Sequence, residues 1–188
     1  MSQLGERTPA DVTGARAAIS SLLAEREFKT IDADSVTTGK DFLLKIWQLV
    51  LSVPVGVAVI QEGIPPQTLA NIFYELGWFH AYGKEAIVVR VGNPQLPSDF
   101  VRTEYVTYDG HFGRRFGSFV DTVIEQAAHY RQLADLLENN PLLAIDYLRR
   151  SYLISGDKEC RRKARAAFAA AGFAGRARNS VESLLVTF

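Results

Sequence analysis

Two apolar runs, the second interrupted by Arg90 alone and the two separated by a segment long enough for one helix, constrain the fold of this chain most. The runs are residues 55–60 and 86–91, and their continuity is typical of strands in a parallel sheet that is covered on both faces. Between them, residues 67–82 carry apolar side chains at helical spacing and are followed by Gly83, a residue type that commonly ends helices. A strand, a crossover helix and a second strand form one βαβ unit. The sequence therefore predicts an α/β fold with a short, mostly parallel sheet.

The rest of the chain divides into a mixed segment and a helical segment. The other predicted elements are helices over residues 13–26 and about 42–51, a short strand over 28–32, a peripheral strand over 103–108, and helices over 116–138, 142–154 and 158–171. The last residues, 181–188, are apolar enough to dock on another element. We therefore predict an α/β domain over residues 1–110 and a helical extension, packed on that domain, over residues 111–188.

Length and composition exclude several classes of protein. A chain of 188 residues with 47% apolar and 22% charged residues is typical of a globular protein and not of a disordered one. The single cysteine, Cys160, cannot form an internal disulfide, so we expect a reducing, cytoplasmic location. The N-terminus lacks the pattern of a signal peptide, and the longest apolar stretch, residues 46–60, is too short to cross a bilayer. We expect no membrane partner, no cofactor and, because the three histidines lack ligand spacing, no metal site.

The charges balance over the whole chain but not along it. Lys and Arg number 21, as do Asp and Glu, yet residues 149–178 hold nine basic residues against two acids. This basic segment favours either a surface for RNA, phosphate or an acidic partner, or a solvated helix face that pairs with acidic neighbours. We do not expect a nucleic-acid partner, and an RNA-contacting adaptor is our third hypothesis for the function.

A stripe of four side chains on the predicted helix over residues 67–82 carries the functional argument. Asn71, Glu75, Trp78 and Tyr82 lie at i, i+4, i+7 and i+11, beside the apolar face of that helix. A carboxylate flanked by an amide and two aromatic rings suits a nucleoside. The rings can stack on a base or cover a ribose, while the acid can accept hydrogen bonds from ribose hydroxyls or stabilise positive charge at the anomeric carbon.

The same segment resembles a known family. The run Asn-Ile-Phe-Tyr-Glu-Leu-Gly at residues 71–77, followed by His-Ala-Tyr-Gly-Lys at 80–84 and then a strand, looks like the nucleoside 2-deoxyribosyltransferase-like proteins and their TIR-like nucleotide-binding relatives. The resemblance covers about residues 31–108. It implies a flavodoxin-like, three-layer α/β/α fold and action on the N-glycosidic bond of a nucleoside, a nucleotide or NAD. By this likeness Glu75 is the catalytic residue. From the stripe itself we expect Asn71, Trp78 and Tyr82 to position the ligand, with packing as the alternative role of Trp78 and Tyr82.

Loops at the carboxyl ends of the strands supply the other candidate ligand contacts, because ligands of parallel sheets bind there. The candidate residues are Asp32, Asp34, Lys40, Glu62 and Asp99. The two early aspartates either meet ribose hydroxyls or cap a turn, and Lys40 either holds a phosphate or belongs to a helix cap. Asp99 either closes the rim of the site or forms a structural salt bridge. Glu62 is the acid of the loop in which the family usually carries one near the sugar.

Two functions remain open from these residues. The first is an enzyme, an N-glycosidase or deoxyribosyltransferase. The second is a non-catalytic nucleotide-sensing or signalling module, because no segment before Thr13 has the pattern of the family's first strand. In the second case the helical C-terminus would pass the signal to a partner or form a homodimer through Tyr147 and Tyr152, although packing within the monomer explains these residues equally well.

Overall fold

The structure, a computed structural model, describes residues 9–31, 42–96, 105–137 and 139–186. Within these residues the fold is mixed α/β, with seven helices and three strands. In chain order the elements are α1 (Ala10–Ala24), α2 (Phe42–Ser52), β1 (Val55–Gln61), α3 (Pro66–Ala81), β2 (Glu85–Val91), β3 (Tyr105–Thr107), α4 (Phe112–Leu136), α5 (Pro141–Ser155), α6 (Lys158–Ala170) and α7 (Gly175–Val186).

The three strands form one parallel sheet in the order β1-β2-β3. All seven residues of β1 pair with β2, and among the described residues β3 pairs with residues 88–90 of β2. The helix α3 connects β1 to β2, so it runs antiparallel to the strands that it joins. The predicted βαβ unit and the predicted parallel sheet are therefore confirmed.

Each face of the sheet is covered by a helix. Successive side chains of a strand point to opposite faces. Val59 and Val89 pack on one face with α1 and with the first part of α4. Ile60 and Val88, their neighbours in sequence, pack on the other face with α3. This double coverage explains why the two predicted strands are apolar without alternation.

The end of α1 replaces the strand that we predicted over residues 28–32. Residues 28–31 are not a strand, and the remaining residue lies outside the described part of the chain. The Phe28 N–H donates to the Leu23 carbonyl, and the Glu27 N–H donates to the Ala24 carbonyl. Glu27 has φ 63°, so the two bonds form a Schellman-type helix end with a non-glycine residue at its left-handed position. The backbone of Phe28 is therefore used to terminate the helix, which the β-type composition of this segment did not reveal.

The chain falls into two compact units. Unit 1 consists of the described residues up to Val50 and of residues 55–120, and unit 2 consists of Leu51–Pro54 and the described residues from Asp121 onward. Unit 1 contains the sheet, α1, α3 and the first part of α4. Unit 2 contains the rest of α4 and the helices α5 to α7. The division falls inside α4, whereas the predicted boundary after residue 110 lies just before this helix.

Unit 2 has its own core and well-defined helix ends. The core residues are Ala134, Ile145, Leu148, Cys160, Ala164 and Val181. The Asn140 side chain accepts a hydrogen bond from the Leu143 N–H at the start of α5, and Asp157 accepts one from the Glu159 N–H at the start of α6. Gly156 ends α5 in the left-handed conformation. These caps confirm the breaks that we predicted around residues 139–141 and 155–157.

Two helices of the second half differ from their predicted bounds. The helix α4 begins at Phe112, four residues earlier than predicted, because the Asp109 carboxylate accepts a hydrogen bond from the His111 N–H and the Asp109 carbonyl accepts one from the Phe112 N–H. The helix α7 was not predicted. Val181 is its only buried residue, and the preceding residues of the helix, 175–180, include no large apolar side chain.

Candidate functional site

The helix α3 positions the predicted stripe by burying the apolar face beside it. Ile72, Leu76 and Phe79 are buried, in agreement with the predicted core face. The helix ends where the sequence predicts. The Lys84 N–H donates to the Phe79 carbonyl, and Gly83 has φ 58°. Because this end is fixed by backbone hydrogen bonds, the helical register of the stripe is fixed too.

An aromatic row accompanies Glu75 along α3. We use this name for Tyr74, Trp78 and Tyr82, which follow one another at intervals of four residues. The ring centroids of Tyr74 and Trp78 are 5.9 Å apart, and those of Trp78 and Tyr82 are 6.0 Å apart. Tyr74 is 51% exposed, Trp78 and Glu75 are half-buried, and Asn71 is exposed. The structure therefore brings a carboxylate and a continuous row of rings to one side of a single helix.

The last member of the aromatic row is held by a second helix. The Trp47 indole N–H, on α2, donates to the Tyr82 hydroxyl over 2.6 Å. The buried Lys84 ammonium donates to the Val50 carbonyl at the end of α2 over 2.5 Å. Tyr82 thus has a packing role in addition to any contact with a ligand. Tyr74, Trp47 and Lys84 were not singled out from the sequence, and the four-residue spacing of Tyr74 to Trp78 is the signal that could have identified Tyr74.

Of the five predicted loop contacts, one lies in the described part of the chain. Glu62 follows β1 and is exposed. Its carboxylate accepts a hydrogen bond from the Asn93 N–H over 3.4 Å, and its own N–H donates to the Val91 carbonyl. Glu62 therefore joins the loops that follow β1 and β2. The other four residues, Asp32, Asp34, Lys40 and Asp99, lie outside the described residues.

The structure separates Glu62 from Glu75. Glu62 lies at the carboxyl end of the sheet, where α3 begins with Pro66. Since a helix rises 1.5 Å per residue, Glu75 lies about 14 Å further along the axis, toward the amino ends of the strands. Trp78 and Tyr82 lie further still in the same direction. The stripe on α3 is thus one cluster, and the loop at the carboxyl edge is another.

His80 is exposed and lies on another side of α3 from the buried residues. In the ranges that the structure describes, no group of three or more His, Cys, Asp or Glu side chains is arranged to hold a metal ion. No helix among the same residues is long and apolar enough to cross a membrane.

Comparison with known proteins finds no matching family model, no similar curated protein and no similar solved structure. The likeness of residues 31–108 to deoxyribosyltransferase-like and TIR-like proteins therefore stays a prediction from the sequence.

Proposed function

We propose that unit 1 binds a nucleoside, a nucleotide or an NAD-type ligand on α3, through Glu75 and the aromatic row. The observation that carries this proposal is the half-buried carboxylate beside rings spaced at 5.9 and 6.0 Å. Stacking of a base on an aromatic side chain contributes about 1–3 kcal/mol. Tyr74, being the most exposed ring of the row, offers the largest free surface, while Asn71 and Glu75 supply hydrogen-bonding groups of both kinds.

The reaction that suits this arrangement is cleavage of an N-glycosidic bond. The bond between the anomeric carbon and the base breaks, the base leaves with the electron pair and takes up a proton, and water or a second base adds to the anomeric carbon. Glu75 stabilises the positive charge that develops on the sugar, or it traps the sugar covalently as an ester before the second addition. A flavodoxin-like, three-layer fold belongs to this proposal, and so does a cytoplasmic location, with which the free and buried Cys160 agrees.

A ligand screen with product analysis tests the proposal. Wild type and Glu75→Gln are mixed with NAD, nucleoside monophosphates, deoxynucleosides and cyclic dinucleotides, and thermal stability is measured together with chromatography of each mixture. We expect one ligand class to be cleaved by wild type and to be bound without cleavage by Glu75→Gln. Loss of binding in Trp78→Leu would identify the aromatic row as the contact surface.

The matched control is Glu62→Gln, which neutralises the acid at the carboxyl edge of the sheet instead. If cleavage is lost in this variant and kept in Glu75→Gln, the ligand lies at the loop cluster and the assignment to α3 is wrong. If no nucleotide or nucleoside shifts the thermal stability of wild type, the proposed ligand class is wrong.

A second candidate is a non-catalytic sensing module whose helical unit contacts a partner or another copy of the chain. The observation that favours it is an apolar cluster at the turn between α4 and α5. Leu136 is 81% exposed, Leu142 is 49% exposed and Leu143 is 38% exposed. Light scattering on wild type and Leu142→Lys tests this role. If wild type is a dimer and Leu142→Lys is a monomer, the result supports a homodimer formed through these leucines. If both proteins are monomers, the homodimer is ruled out.

A further inference from the structure

Unit 1 contains a cavity that none of the predicted site residues lines. Its volume is about 510 Å³, and it is shallow and widely open to solvent. One wall is formed by α1 residues at helical spacing, Ala18, Ser21, Leu22 and Glu25. The other wall is formed where β3 leads into α4, by Tyr108, Asp109, Phe112 and Gly113.

The cavity lies on the sheet face opposite α3. The helices α1 and α4 cover the face of Val59 and Val89, whereas α3 covers the other face. The second wall directly follows the carboxyl end of β3, which is the end of a parallel sheet at which ligands commonly bind. The cavity is therefore separate from the stripe around Glu75, and it can be tested independently of the proposed function.

The wall that contains Tyr108 and Phe112 is partly aromatic. The rings of Tyr108 and Phe112 meet edge to face, with centroids 5.2 Å apart. A methyl group at Gly14 of α1 would come within 3.1 Å of the Tyr108 hydroxyl, so the tyrosine ring is held close against α1. Leu22 faces these rings from the other wall. Such a surface favours a flat apolar group.

The polar groups of the lining are mostly hydrogen-bond acceptors. Glu25 has an arginine neighbour, Arg26, whose Nη1 lies 3.9 Å from the carboxylate, which is too far for a hydrogen bond. The Asp109 carboxylate accepts hydrogen bonds from Arg115 and from the His111 N–H, and these bonds hold the pKa of Asp109 below its usual value. None of the eight lining residues is Lys, Arg or His. The lining therefore disfavours anions and favours groups that donate hydrogen bonds.

We propose that this cavity binds a small aromatic ligand that carries an amino or amidino group and no phosphate. The ring packs on the half-buried Leu22 and Tyr108. The cationic or donor group points to Glu25 and to the remaining acceptor capacity of Asp109, since each carboxylate oxygen can accept more than one hydrogen bond.

Gly113 makes a sharp test of this cavity possible. A Cβ atom at this helical position would meet no atom within 4 Å, and Gly113 lines the cavity, so Gly113→Leu adds a large apolar side chain at its edge without a clash at Cβ. The matched control is Gly77→Leu on α3, another helical glycine with open space around it. Both substitutions replace glycine by a better helix former, and only the first obstructs the cavity.

The probe is benzamidine, with benzoate as its anionic counterpart of similar shape, and binding is followed by amide chemical shifts of the full chain. We expect benzamidine to shift the amides of Ser21, Asp109 and Gly113 in wild type and in Gly77→Leu. We expect Gly113→Leu to weaken binding at least about tenfold, and Glu25→Gln to weaken it several-fold through loss of one charge-assisted hydrogen bond.

Three results would overturn the proposal. The first is that benzoate binds as tightly as benzamidine. The second is that Gly113→Leu binds benzamidine as wild type does. The third is that neither probe shifts the amides of the two walls. None of these results bears on cleavage at Glu75, because Gly113→Leu, Glu25→Gln and both probes act on the opposite face of the sheet from α3.

Discussion

Gly56 on β1 allows the packing of α3 to be tested with one added methyl group. A Cβ atom at this position would lie 2.9 Å from two ring carbons of Phe79 and 3.0 Å from a third. Ordinary carbon–carbon contacts are about 3.5–4.0 Å, so the ring or the helix must move by roughly 0.5 Å or more. Phe79 is only 4% exposed, and it lies in a packed layer with little room to move.

The expected effect is the balance of two terms. Alanine in place of glycine in a strand normally stabilises by about 0.5–1 kcal/mol, because the unfolded chain loses less freedom on folding. Overpacking of a core costs about 1–3 kcal/mol. We therefore expect Gly56→Ala to lower the free energy of unfolding of unit 1 by about 0.5–2 kcal/mol. In Gly56→Ala/Phe79→Leu the smaller side chain relieves the overlap, so the two substitutions should be less harmful together than their separate effects predict.

Tryptophan fluorescence during urea unfolding measures the stability of unit 1, the unit that contains Gly56. The chain has two tryptophans, Trp47 and Trp78, and both belong to unit 1. The control is Gly77→Ala on α3, where the added Cβ has open space, and where we expect a gain of about 0.5–1 kcal/mol. If Gly56→Ala is as stable as Gly77→Ala, the close packing of Phe79 on β1 is refuted.

Three further predictions concern helix ends and buried or paired charges. Glu27→Gly should stabilise unit 1 by about 0.5–1 kcal/mol, because glycine adopts the left-handed conformation of φ 63° at little cost; fluorescence-detected unfolding checks it, and a loss of stability would contradict it. Arg149→Met should destabilise unit 2 by about 2–4 kcal/mol, since this buried guanidinium donates to the Leu51 carbonyl; hydrogen exchange of α5 amides measures the change, and unaltered protection would count against it. The pKa of Asp109 is lowered by its hydrogen bonds to Arg115 and the His111 N–H, so the stability from this pair is present at neutral pH and is lost as the pH falls through the lowered value. Arg115→Gln should therefore raise the pKa of Asp109 in a carboxyl-carbon NMR titration, and an unchanged value would show that the pair does not form in solution.

The parts of the fold that were predictable are those whose signals are local. The strands β1 and β2 are mostly apolar runs, and α3 lies between them with Gly83 at its end, so both the elements and the parallel order follow from pattern and handedness rules. The end of α1 was not predictable in the same way, because Glu27 adopts the left-handed conformation without being glycine. The start of α4 depends on the Asp109 side chain, whose role as a cap cannot be distinguished by composition from a role in the preceding turn.

The candidate sites likewise differ in whether their residues are close together in the sequence. The stripe around Glu75 lies within one helix, so its spacing could be read directly from the sequence. The cavity combines residues 18–25 with residues 108–113, and each of these residues is unremarkable in its own segment. Only the packing of α1 against α4 brings these residues together, and no spacing pattern in the sequence predicts that packing.

The strand β2 lies between α3 and the cavity, so it determines whether ligands at the two proposed sites can affect each other. Among the described residues, β3 pairs with β2 up to Arg90, and the Tyr108 N–H donates to the Arg90 carbonyl just after the last paired residue. This bond fixes Tyr108, and through it the wall of the cavity, to the same strand whose other face supports α3. Because Val88 packs toward α3 and Val89 packs toward α1 and α4, a ligand at one site reaches the other only by moving β2 itself. A strand that is buried on both faces resists such movement, so binding at the two sites should be energetically independent.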